Sequence, residues 1–524
     1  DQCGSRGLGD VYKRQPNLEQ NIGPLGKIMV KAAKGALLAT LEIDRNSDVP
    51  IYRQIEDFLR QMILNGALLP SQKLPSTREL ALELGVSRIT IKSVYEQLIS
   101  EGYVKGKTGA GTFVSKGLDS ETPIVPSVDA EKNDDFDRNF SQTVEQISLS
   151  KASARYGSIL PFRPGVPALD KFPIKRWNKY LSRATTKSDI TNFSYGDLLG
   201  SKKLRSSIAH HLADSRGMKV DPKQILITSG AQQAFVLISY VLMNKNDTVR
   251  YENPGHIPGR DLMKNDGGDV SPIPIDSEGL SLPFAILNFP KPKLIFTTPS
   301  HQQPLGITMS LQRRLALLKY AHENASWVIE DDYDSEFRYR GRPLPALAAL
   351  DKVGRVLYVG TFSKSLFPSV RIGYVVVPET LMDAFAKMRN IFGQTSSAIT
   401  EEALSNFMDD GGFAEHIRKM RRLYRDRRDI LLNALRENCS NILIPQQTDA
   451  GMHILADINK GISDRLVHLE LLKSGIDSLP LSIYYEGCAQ RQALVLGFSG
   501  VQKKLIPQLV SKMGAVLNSL NTDK

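Results

Sequence analysis

Lys364 lies in a run whose neighbours are suited to covalent chemistry. Thr361 and Ser363 precede it and Arg371 follows seven positions later, within residues 360–374 (GTFSKSLFPSVRIGY). A lysine amine can form a Schiff base with an aldehyde, while hydroxyl and guanidinium groups can hold a phosphate. A single lysine is most often a solvated surface group, but Gly, Phe and Pro are unusual neighbours on a surface helix. The run therefore indicates a site for an aldehyde cofactor that also carries a phosphate.

A turn rich in small residues offers backbone amides for that phosphate. Ser229, Gly230 and Ala231 follow the strand-like run 224–228 and open an apolar helix. Amides at the start of a helix, aided by the helix dipole, bind phosphate well. Taken alone, such a segment is more often a plain strand-to-helix turn.

The acidic run 330–337 (EDDYDSEF) directly follows a strand-like apolar run. A carboxylate there, Asp331, can keep the ring nitrogen of a cofactor protonated, and the Tyr333 hydroxyl can bond a ring oxygen. His301, in the segment TPSHQQPLG, can contact the ring hydroxyl, although a single histidine there is more often a loop residue. Acidic runs are usually solvated or bind metals. This one directly follows an apolar strand, which puts its first members near a sheet edge, and we expect no metal. An amine, an acid and a phosphate cradle together suit pyridoxal 5'-phosphate (PLP).

The segments that carry these groups alternate between strand-like and helix-like patterns, as α/β domains do. Strand-like runs at 224–228, 293–297, 327–330 and 355–359 each end where polar or glycine residues gather. Ligand sites in open α/β sheets lie at such carboxyl ends, so we expect the groups to converge.

A second module, before residue 115, has the pattern of a winged helix-turn-helix. Apolar residues at helical spacing begin near residue 51, a capping-box pattern starts at Ser76, and Ser87 can cap a third helix up to residue 100. Two short strands around the glycine-rich stretch 106–111 would form the wing. The residues expected to meet DNA are Thr77, Arg78, Ser87, Arg88, Thr90, Lys92, Gly109 and Gly111. The alternative interpretation is a small helical interaction domain whose basic residues are only solvated.

The bulk composition is that of a soluble protein with several domains. Its 524 residues are too many for one ordinary core, 41% are hydrophobic and 23% charged, and the formal net charge is +11. This balance permits an anionic partner without proving one. Three cysteines cannot build a disulfide framework, and no apolar run is long enough to span a bilayer. We therefore expect a cytoplasmic protein with no membrane partner.

These patterns predict four segments. Residues 41–115 would form the DNA-binding domain and residues 158–524 the α/β cofactor domain. Residues 116–157 lose their periodicity and carry prolines and an acidic patch, which favours a flexible linker. Residues 1–40 carry no fold signal; their first fifteen lack the apolar centre of a signal peptide and resemble translated sequencing-adaptor sequence.

From about residue 43 the chain resembles the MocR/GabR-type regulators, in which a GntR winged helix is fused to a fold-type I aminotransferase-like domain. The resemblance rests on the stretches LPSTRELALELGVSRITIKSVYEQLISEGYV, FSYGDLLGSKKLR, ITSGAQQA, TPSHQQPLG, IEDDYDSEFRY, GTFSKSLFPSVRIGY, GFAEHIRKMRRLYRDRR and AGMH. It implies a large α/β domain with a smaller C-terminal α+β subdomain, and a homodimer in which Tyr195 reaches the cofactor of the neighbouring subunit. It also implies that Lys364 carries the Schiff base with PLP, while Asp331 meets the ring nitrogen and Tyr333 the ring oxygen. The residues that would hold the phosphate are Ser229, Gly230, Ala231, Ser363 and Arg371.

Several residues depart from the family pattern. These differences bear on which small molecule the cofactor domain would bind as its effector. His256 stands where an aromatic residue usually stacks on the cofactor ring, and Gln303 stands where another aromatic residue is common. The strand 493–499 lacks the arginine with which aminotransferases clamp a carboxylate, and Arg491 just before it is only a weak candidate. The six arginines between positions 418 and 428 are expected to be solvated or to meet the DNA-binding domain.

We therefore expect a transcriptional regulator that senses PLP, or an amine or amino acid adding to it, and changes how a dimer binds double-stranded DNA. The linker would let the two domains of one chain belong to different halves of a domain-swapped dimer. The alternative is a PLP-dependent aminotransferase with an appended DNA-binding domain, and residual transaminase activity is compatible with the regulator. A third interpretation, a cofactor fold used only for dimerisation, is disfavoured by the intact Lys364.

Overall fold

The computed structural model describes residues 41, 43–116, 159–186, 193–194, 196–341, 344–393, 396–459 and 461–522. The chain separates into two compact units, one on each side of residue 138. The predictions for residues 1–40, for linker residues 117–157 and for Tyr195 lie outside the described residues. The exact domain boundaries stay predictions.

The smaller unit consists of three helices and a two-stranded wing. Its elements are α1 (Ile51–Leu64), α2 (Thr77–Glu83), α3 (Arg88–Ser100), β1 (Val104–Lys107) and β2 (Gly111–Val114). One apolar core, which includes the fully buried Ile55, Leu80 and Ile91, joins the helices to the wing. The predicted capping box is present: Ser76 Oγ accepts from Glu79 N at 3.2 Å, and Glu79 Oε2 accepts from Ser76 N at 2.8 Å.

The loop between the two strands of the wing is shorter than the sequence predicted. Its strands pair antiparallel, with Gly106 opposite Thr112 and Lys107 opposite Gly111, so that residues 108–110 alone form the loop. Gly109 and Gly111 have φ angles of 76° and 112°, which glycine adopts without steric cost. The ladder thus extends into the stretch whose glycines predicted a longer loop.

The larger unit contains a mixed eight-stranded sheet, ordered β3-β10-β9-β8-β7-β4-β5-β6. Its strands are β3 (Ile225–Thr228), β4 (Thr248–Asn253), β5 (Asp269–Asp276), β6 (Gly279–Leu280), β7 (Leu294–Thr297), β8 (Trp327–Asp332), β9 (Val356–Thr361) and β10 (Gly373–Val376). Strands β5, β4, β7, β8 and β9 pair in parallel, whereas β10 runs antiparallel to both of its neighbours. Every residue of β3, β7 and β10 is buried, as expected of a sheet covered by helices on both faces.

A second, antiparallel sheet has the order β11-β12-β14-β13. Its strands are β11 (Leu443–Pro445), β12 (His453–Ile458), β13 (Leu479–Pro480) and β14 (Ala493–Gly497). It corresponds to the expected C-terminal α+β subdomain.

Helices pack around both sheets of the larger unit. In chain order they are α4 (Ile174–Thr186), α5 (Lys202–Arg216), α6 (Ala231–Leu242), α7 (Ile257–Asn265), α8 (Leu282–Asn288), α9 (Leu311–Glu323), α10 (Leu347–Leu350), α11 (Phe362–Ser365), α12 (Met382–Phe392), α13 (Ala398–Asp409), α14 (Gly412–Asn438), α15 (Asp464–Lys473) and α16 (Ile506–Thr522). Short 3-10 turns lie at Leu169–Lys171, Pro222–Gln224, Pro368–Val370, Glu379–Leu381, Leu481–Tyr484 and Lys503–Leu505. Within the described ranges, no helix combines the length and apolar composition needed to cross a bilayer.

The arginine-rich helix α14 is more deeply packed than its composition predicted. The expectation that all six arginines are solvated or meet the DNA-binding domain is wrong for Arg427 and Arg428, which are 1% and 3% exposed. Arg427 donates to both carboxylate oxygens of Asp170 at 3.2 Å and also to Ser499 O. Arg428 donates to Thr448 O at 2.6 Å. Buried guanidinium groups need such partners to offset their desolvation.

Candidate cofactor site and DNA interface

Three strand ends meet at Gly373, the first residue of β10. Gly373 pairs with Thr228, the last residue of β3, and with Thr361, the last residue of β9. A Cβ atom on Gly373 would lie 2.7 Å from Gly230 Cα, so a larger residue would push the two segments apart. The sheet therefore brings the turn 229–231 beside the end of β9, as the sequence predicted.

The turn 229–231 opens α6 without a side-chain cap. Gly230 is the N-cap residue, with φ of 112°, and Ser229 N donates to Gln233 Oε1 at 2.8 Å. The first amides of a helix have no partner within the helix, and the dipole of this 12-residue helix favours negative charge there. Such a start can bind a phosphate.

Lys364 lies on the one-turn helix α11, which begins where β9 ends. Thr361 Oγ1 caps this helix by accepting from Ser363 N at 3.2 Å. The half-buried Lys364 donates from Nζ to Gly165 O at 2.8 Å. A Cβ atom on Gly165 would lie 2.7 Å from that nitrogen, so bare backbone forms the wall beside the amine. The predicted residues Thr361, Ser363 and Lys364 thus share one turn.

Two features distinguish the segment between α11 and β10. His416 Nε2 donates to Ser365 O at 3.1 Å, and burial lowers the pKa of His416 to about 4, so this ring is neutral near pH 7. Arg371, two residues before Gly373, has the left-handed backbone angles φ 49° and ψ 42° and an exposed side chain. Such a conformation costs a non-glycine residue about 1 kcal/mol, and strain of this kind is concentrated at functional sites.

Asp331, near the end of β8, has a buried carboxyl group. Among the described residues its Oδ1 has no hydrogen-bond partner. Burial, followed by the negative charges of Asp332, Asp334 and Glu252, raises the pKa of Asp331 well above its usual range, and Lys364 lies close enough to offset part of this effect. No described residue donates a hydrogen bond to this carboxyl group, and a protonated ring nitrogen could supply one.

Tyr333 and His301 belong to one buried cluster. His301 Nδ1 lies 3.0 Å from the Tyr333 hydroxyl and 3.1 Å from Asp334 Oδ2. The His453 ring lies 5.3 Å from the His301 ring, and His453 Nε2 donates to Pro304 O at 2.9 Å. Burial, followed by the neighbouring His301, lowers the pKa of His453 to about 4. His301 therefore contacts Tyr333, whereas its contact with a ring hydroxyl stays a prediction.

Sequence reasoning missed a second buried network, centred on Glu252 at the end of β4. Its carboxylate accepts from Thr297 Oγ1 and Thr298 Oγ1, both at 2.6 Å, and from Gln302 Nε2 at 3.1 Å. These bonds tie the ends of β4 and β7 together. Glu252 follows the mixed run Thr248–Tyr251, which includes Arg250, so the apolar run that identified Asp331 has no counterpart here. His453 was likewise missed as a contact, because no role was assigned to the stretch AGMH that contains it.

Two residues flagged as departures already have partners. His256 caps α7, because its Nδ1 accepts from Gly259 N at 3.3 Å, and its ring is parallel to that of Phe296 at a centroid distance of 6.2 Å. Its stacking on a cofactor stays a prediction. Arg491 donates to both carboxylate oxygens of Asp457, at 2.5 and 2.7 Å, so this arginine is engaged within the protein.

The start of α3 presents the predicted DNA-binding residues together. Ser87 Oγ accepts from Thr90 N at 3.0 Å and caps the helix, and Arg88 Nε lies 3.4 Å from Thr77 Oγ1 at the start of α2. Arg88 and Lys92 are exposed, whereas Thr90 is half-buried. A helix start of this kind suits phosphates and base edges.

Further groups extend this surface. Arg78, on the first turn of α2, is exposed as predicted. Ile89, which the sequence did not single out, is 80% exposed between Arg88 and Thr90. On the wing, the ammonium groups of Lys73 and Lys107 lie 5.9 and 5.4 Å from the centre of the Phe113 ring.

Comparisons with known proteins agree with both units. Residues 51–114 match the family described as bacterial regulatory proteins, gntR family, and residues 160–485 match aminotransferase class I and II. The chain is 34% identical to the probable rhizopine catabolism regulatory protein MocR of Rhizobium meliloti, over 92% of this chain and 97% of that protein. The chain belongs to the MocR-type transcriptional regulators.

Other comparisons support this MocR-type assignment. The chain is 33% identical to the pyridoxine biosynthesis transcriptional regulator PdxR of Corynebacterium glutamicum, over 88% of this chain and 95% of that protein. The structure of Pyrococcus horikoshii kynurenine aminotransferase in complex with PMP has a TM-score of 0.67 and 27% identity, covering 73% of this chain and 97% of that one. This MocR-type chain therefore joins a GntR-type DNA-binding domain to a domain of a PLP-dependent fold family.

Replacing His453 by glutamine should reduce the acid sensitivity of the larger unit. The folded protein protonates His453 only near pH 4, whereas the unfolded chain does so near pH 6.5, so the free energy of unfolding falls as the pH drops below 6.5. Between pH 7.5 and 5.5 the wild type should lose about 1.4 kcal/mol through this group, and His453→Gln should not. Urea unfolding followed by tryptophan fluorescence measures this, because Trp177 and Trp327, the two tryptophans, both lie in the larger unit.

The matched control is His322→Gln, at an exposed position in the last turn of α9. It should leave the dependence of stability on pH unchanged. If His453→Gln keeps the acid dependence of the wild type, His453 is not the neutral buried group that its surroundings indicate.

Proposed function

We propose that this regulator binds PLP at the candidate cofactor site. Its affinity for DNA then changes when PLP occupies the site or when an amine adds to the cofactor. The observation that carries the proposal is the buried Asp331 carboxyl, whose Oδ1 has no partner among the described residues while Lys364 lies nearby. Buried polar atoms in native proteins are usually paired, so an orphan one points to a missing ligand group. When bound, PLP supplies an electron-withdrawing ring and an aldehyde that reacts with amines.

We propose one role for each group around the candidate cofactor site. Lys364 Nζ would be the amine that bonds to the aldehyde, and Asp331 would hold the proton on the ring nitrogen. Tyr333, supported by His301, would donate to the ring oxygen, and His256 would stack on the ring. The groups proposed to hold the phosphate are the amides of Ser229, Gly230 and Ala231 and the side chains of Thr361, Ser363 and Arg371.

We propose an amine or an amino acid as the effector, held without the carboxylate clamp of an aminotransferase. Strand β14 contains no arginine, and the nearby Arg491 is paired with Asp457. Arg163 is also engaged, by Asp477 at 2.5 Å. These pairings favour a sensing role over amino-group transfer as the main function. The relatives are named for two different processes, rhizopine catabolism and pyridoxine biosynthesis, so family membership alone leaves the effector open.

We further propose that the functional unit is a homodimer. A ligand changes DNA binding only if it favours one of two arrangements of the protein over the other. Two DNA-binding units whose spacing depends on the cofactor site would provide such arrangements. Tyr195 would contribute to the neighbouring subunit's site.

Lys364→Ala should abolish both the visible absorption that PLP confers and the response of DNA binding to it. Without the amine no covalent bond to the aldehyde can form, although the phosphate and ring contacts remain. The test titrates PLP and a panel of amines against a complex of the full-length protein with its own promoter fragment, beside absorption spectra. Lys352→Ala, at an exposed lysine, is the matched control and should behave as the wild type.

Two results would overturn the proposal. A colourless wild type under saturating PLP would refute cofactor binding. DNA binding that never responds, together with amino-group transfer that turns over, would identify the protein as an aminotransferase with a DNA-binding appendage.

Arg88→Ala should weaken binding to the operator and lower the slope of log affinity against log salt by about one. The exposed guanidinium at the start of α3 releases a counterion when it meets a phosphate. Fluorescence anisotropy at several salt concentrations measures both quantities. Arg53→Ala, at an exposed position on α1, should leave them close to wild type, and an unchanged slope in Arg88→Ala would refute the assignment.

Ile89 should contact the methyl group of a thymine, the apolar feature of the major groove. Replacing the critical thymine of a selected operator by uracil removes only that methyl group and should weaken wild-type binding about fivefold, which corresponds to about 1 kcal/mol for one buried methyl. Ile89→Ala should be insensitive to the replacement. Leu82→Ala, at an 82% exposed position on α2, is the control and should respond as the wild type. A uracil effect that persists in Ile89→Ala would disprove the contact.

A further inference from the structure

A cavity of about 450 Å³ lies against α14, on the side opposite its buried face. It is lined by Tyr339 and by four arginines of the helix, Arg418, Arg421, Arg422 and Arg425. Residues three and four positions apart share one face of a helix. The apolar residues next to them in the sequence, Ile417, Met420 and Tyr424, are buried.

Among the described residues, the lining of this cavity carries four positive charges and no carboxylate. Arginines three and four positions apart repel one another, which destabilises a helix unless something compensates. Among the described residues, Arg418, Arg422 and Arg425 make no ion pair or hydrogen bond, and they are exposed. Ion pairing is otherwise available on this helix, since Lys419 pairs with Glu415 at 2.7 Å. Within the described part of this helix, three of the arginines without a carboxylate partner therefore line the cavity.

Two of the five lining residues, Arg421 and Tyr339, are held in place by contacts within the protein. Arg421 Nε donates to Glu336 O at 2.9 Å, which fixes its guanidinium plane. The Tyr339 hydroxyl donates to Gly451 O, and the Tyr339 ring lies 4.9 Å from the guanidinium carbon of Arg428. Ligand sites are concave and largely formed before binding, and the fixed Arg421 and Tyr339 side chains give the cavity one wall of this kind.

We propose that this cavity binds a small phosphorylated molecule that carries at least two negative charges. The planar guanidinium fork matches phosphate oxygens in bidentate fashion. A volume of about 450 Å³ falls within the range of about 300–1,000 Å³ typical of small-molecule sites. Several cations around one space favour a ligand with several charges over a single carboxylate. The described lining of the cavity shares no residue with the groups proposed to hold PLP.

Isothermal titration calorimetry tests the proposal, with inorganic pyrophosphate as the probe and the full-length protein saturated with PLP so that the phosphate cradle is occupied. The wild type should bind one pyrophosphate per chain. The double variant Arg418→Gln/Arg422→Gln should bind it at least about tenfold more weakly, because each lost charged hydrogen bond costs that much or more. Arg436→Gln removes one charge from an exposed position on the same helix, outside the cavity, and should bind as the wild type.

Three outcomes would overturn the proposal. Pyrophosphate that does not bind the wild type would show that the arginines are merely solvated. Unchanged binding in the double variant would place the anion elsewhere. If the double variant loses affinity for promoter DNA while pyrophosphate binds neither protein, the arginines contact the DNA backbone instead. Urea unfolding followed by tryptophan fluorescence verifies that the double variant is folded.

Discussion

The burial of carboxyl groups at the end of β8 is the constraint around which the larger unit is organised. Glu330 accepts from the amides of Leu347 and Ala348, both at 2.8 Å. Asp332 pairs with Arg216 at 2.8 Å, and Asp334 contacts His301. Asp332 Oδ1 and Asp334 Oδ1 also lack a partner, but each of these residues is bonded through its other oxygen, whereas Asp331 has no side-chain hydrogen bond or ion pair among the described residues. A buried carboxyl group without any such bond is the position at which we propose that a donor from outside the chain binds.

The antiparallel insertion of β10 brings the remaining parts of the site to this acid. Had β10 continued the parallel order, the segment that carries Arg371 would lie at the opposite edge of the sheet. Instead Gly373 lies between Thr228 and Thr361, and the turn after β3 approaches within a distance that only glycine tolerates. Because Lys364 lies between β9 and β10, the same strand reversal joins the segment that carries this lysine to the turn 229–231 at Gly373.

The sequence predicted the parts of this arrangement that depend on local chemistry. Capping residues such as Ser76, and polar groups directly after apolar strands, such as Asp331, are signals within a few positions. The direction of β10 and the burial of Arg427 depend on contacts with distant segments, and no short pattern carries them. Ile89 and Ile91 illustrate the same limit: they are two positions apart and equally apolar, yet 80% and 0% exposed. Their difference is decided by the packing of α3 against the other helices.

The two units have separate apolar cores, which restricts how a signal can pass between them. Ile55 and Ile91 belong to the core of the smaller unit, whereas Leu496 and Tyr424 belong to that of the larger one. Binding of a ligand at Lys364 therefore needs no repacking of the DNA-binding core. A change in DNA affinity can then come from the arrangement of intact DNA-binding units in the proposed dimer, which a ligand shifts only by the difference in its affinity for two arrangements. Under the proposed function, covalent bonding at Lys364 serves selective occupation of the site, and amino-group transfer is not required.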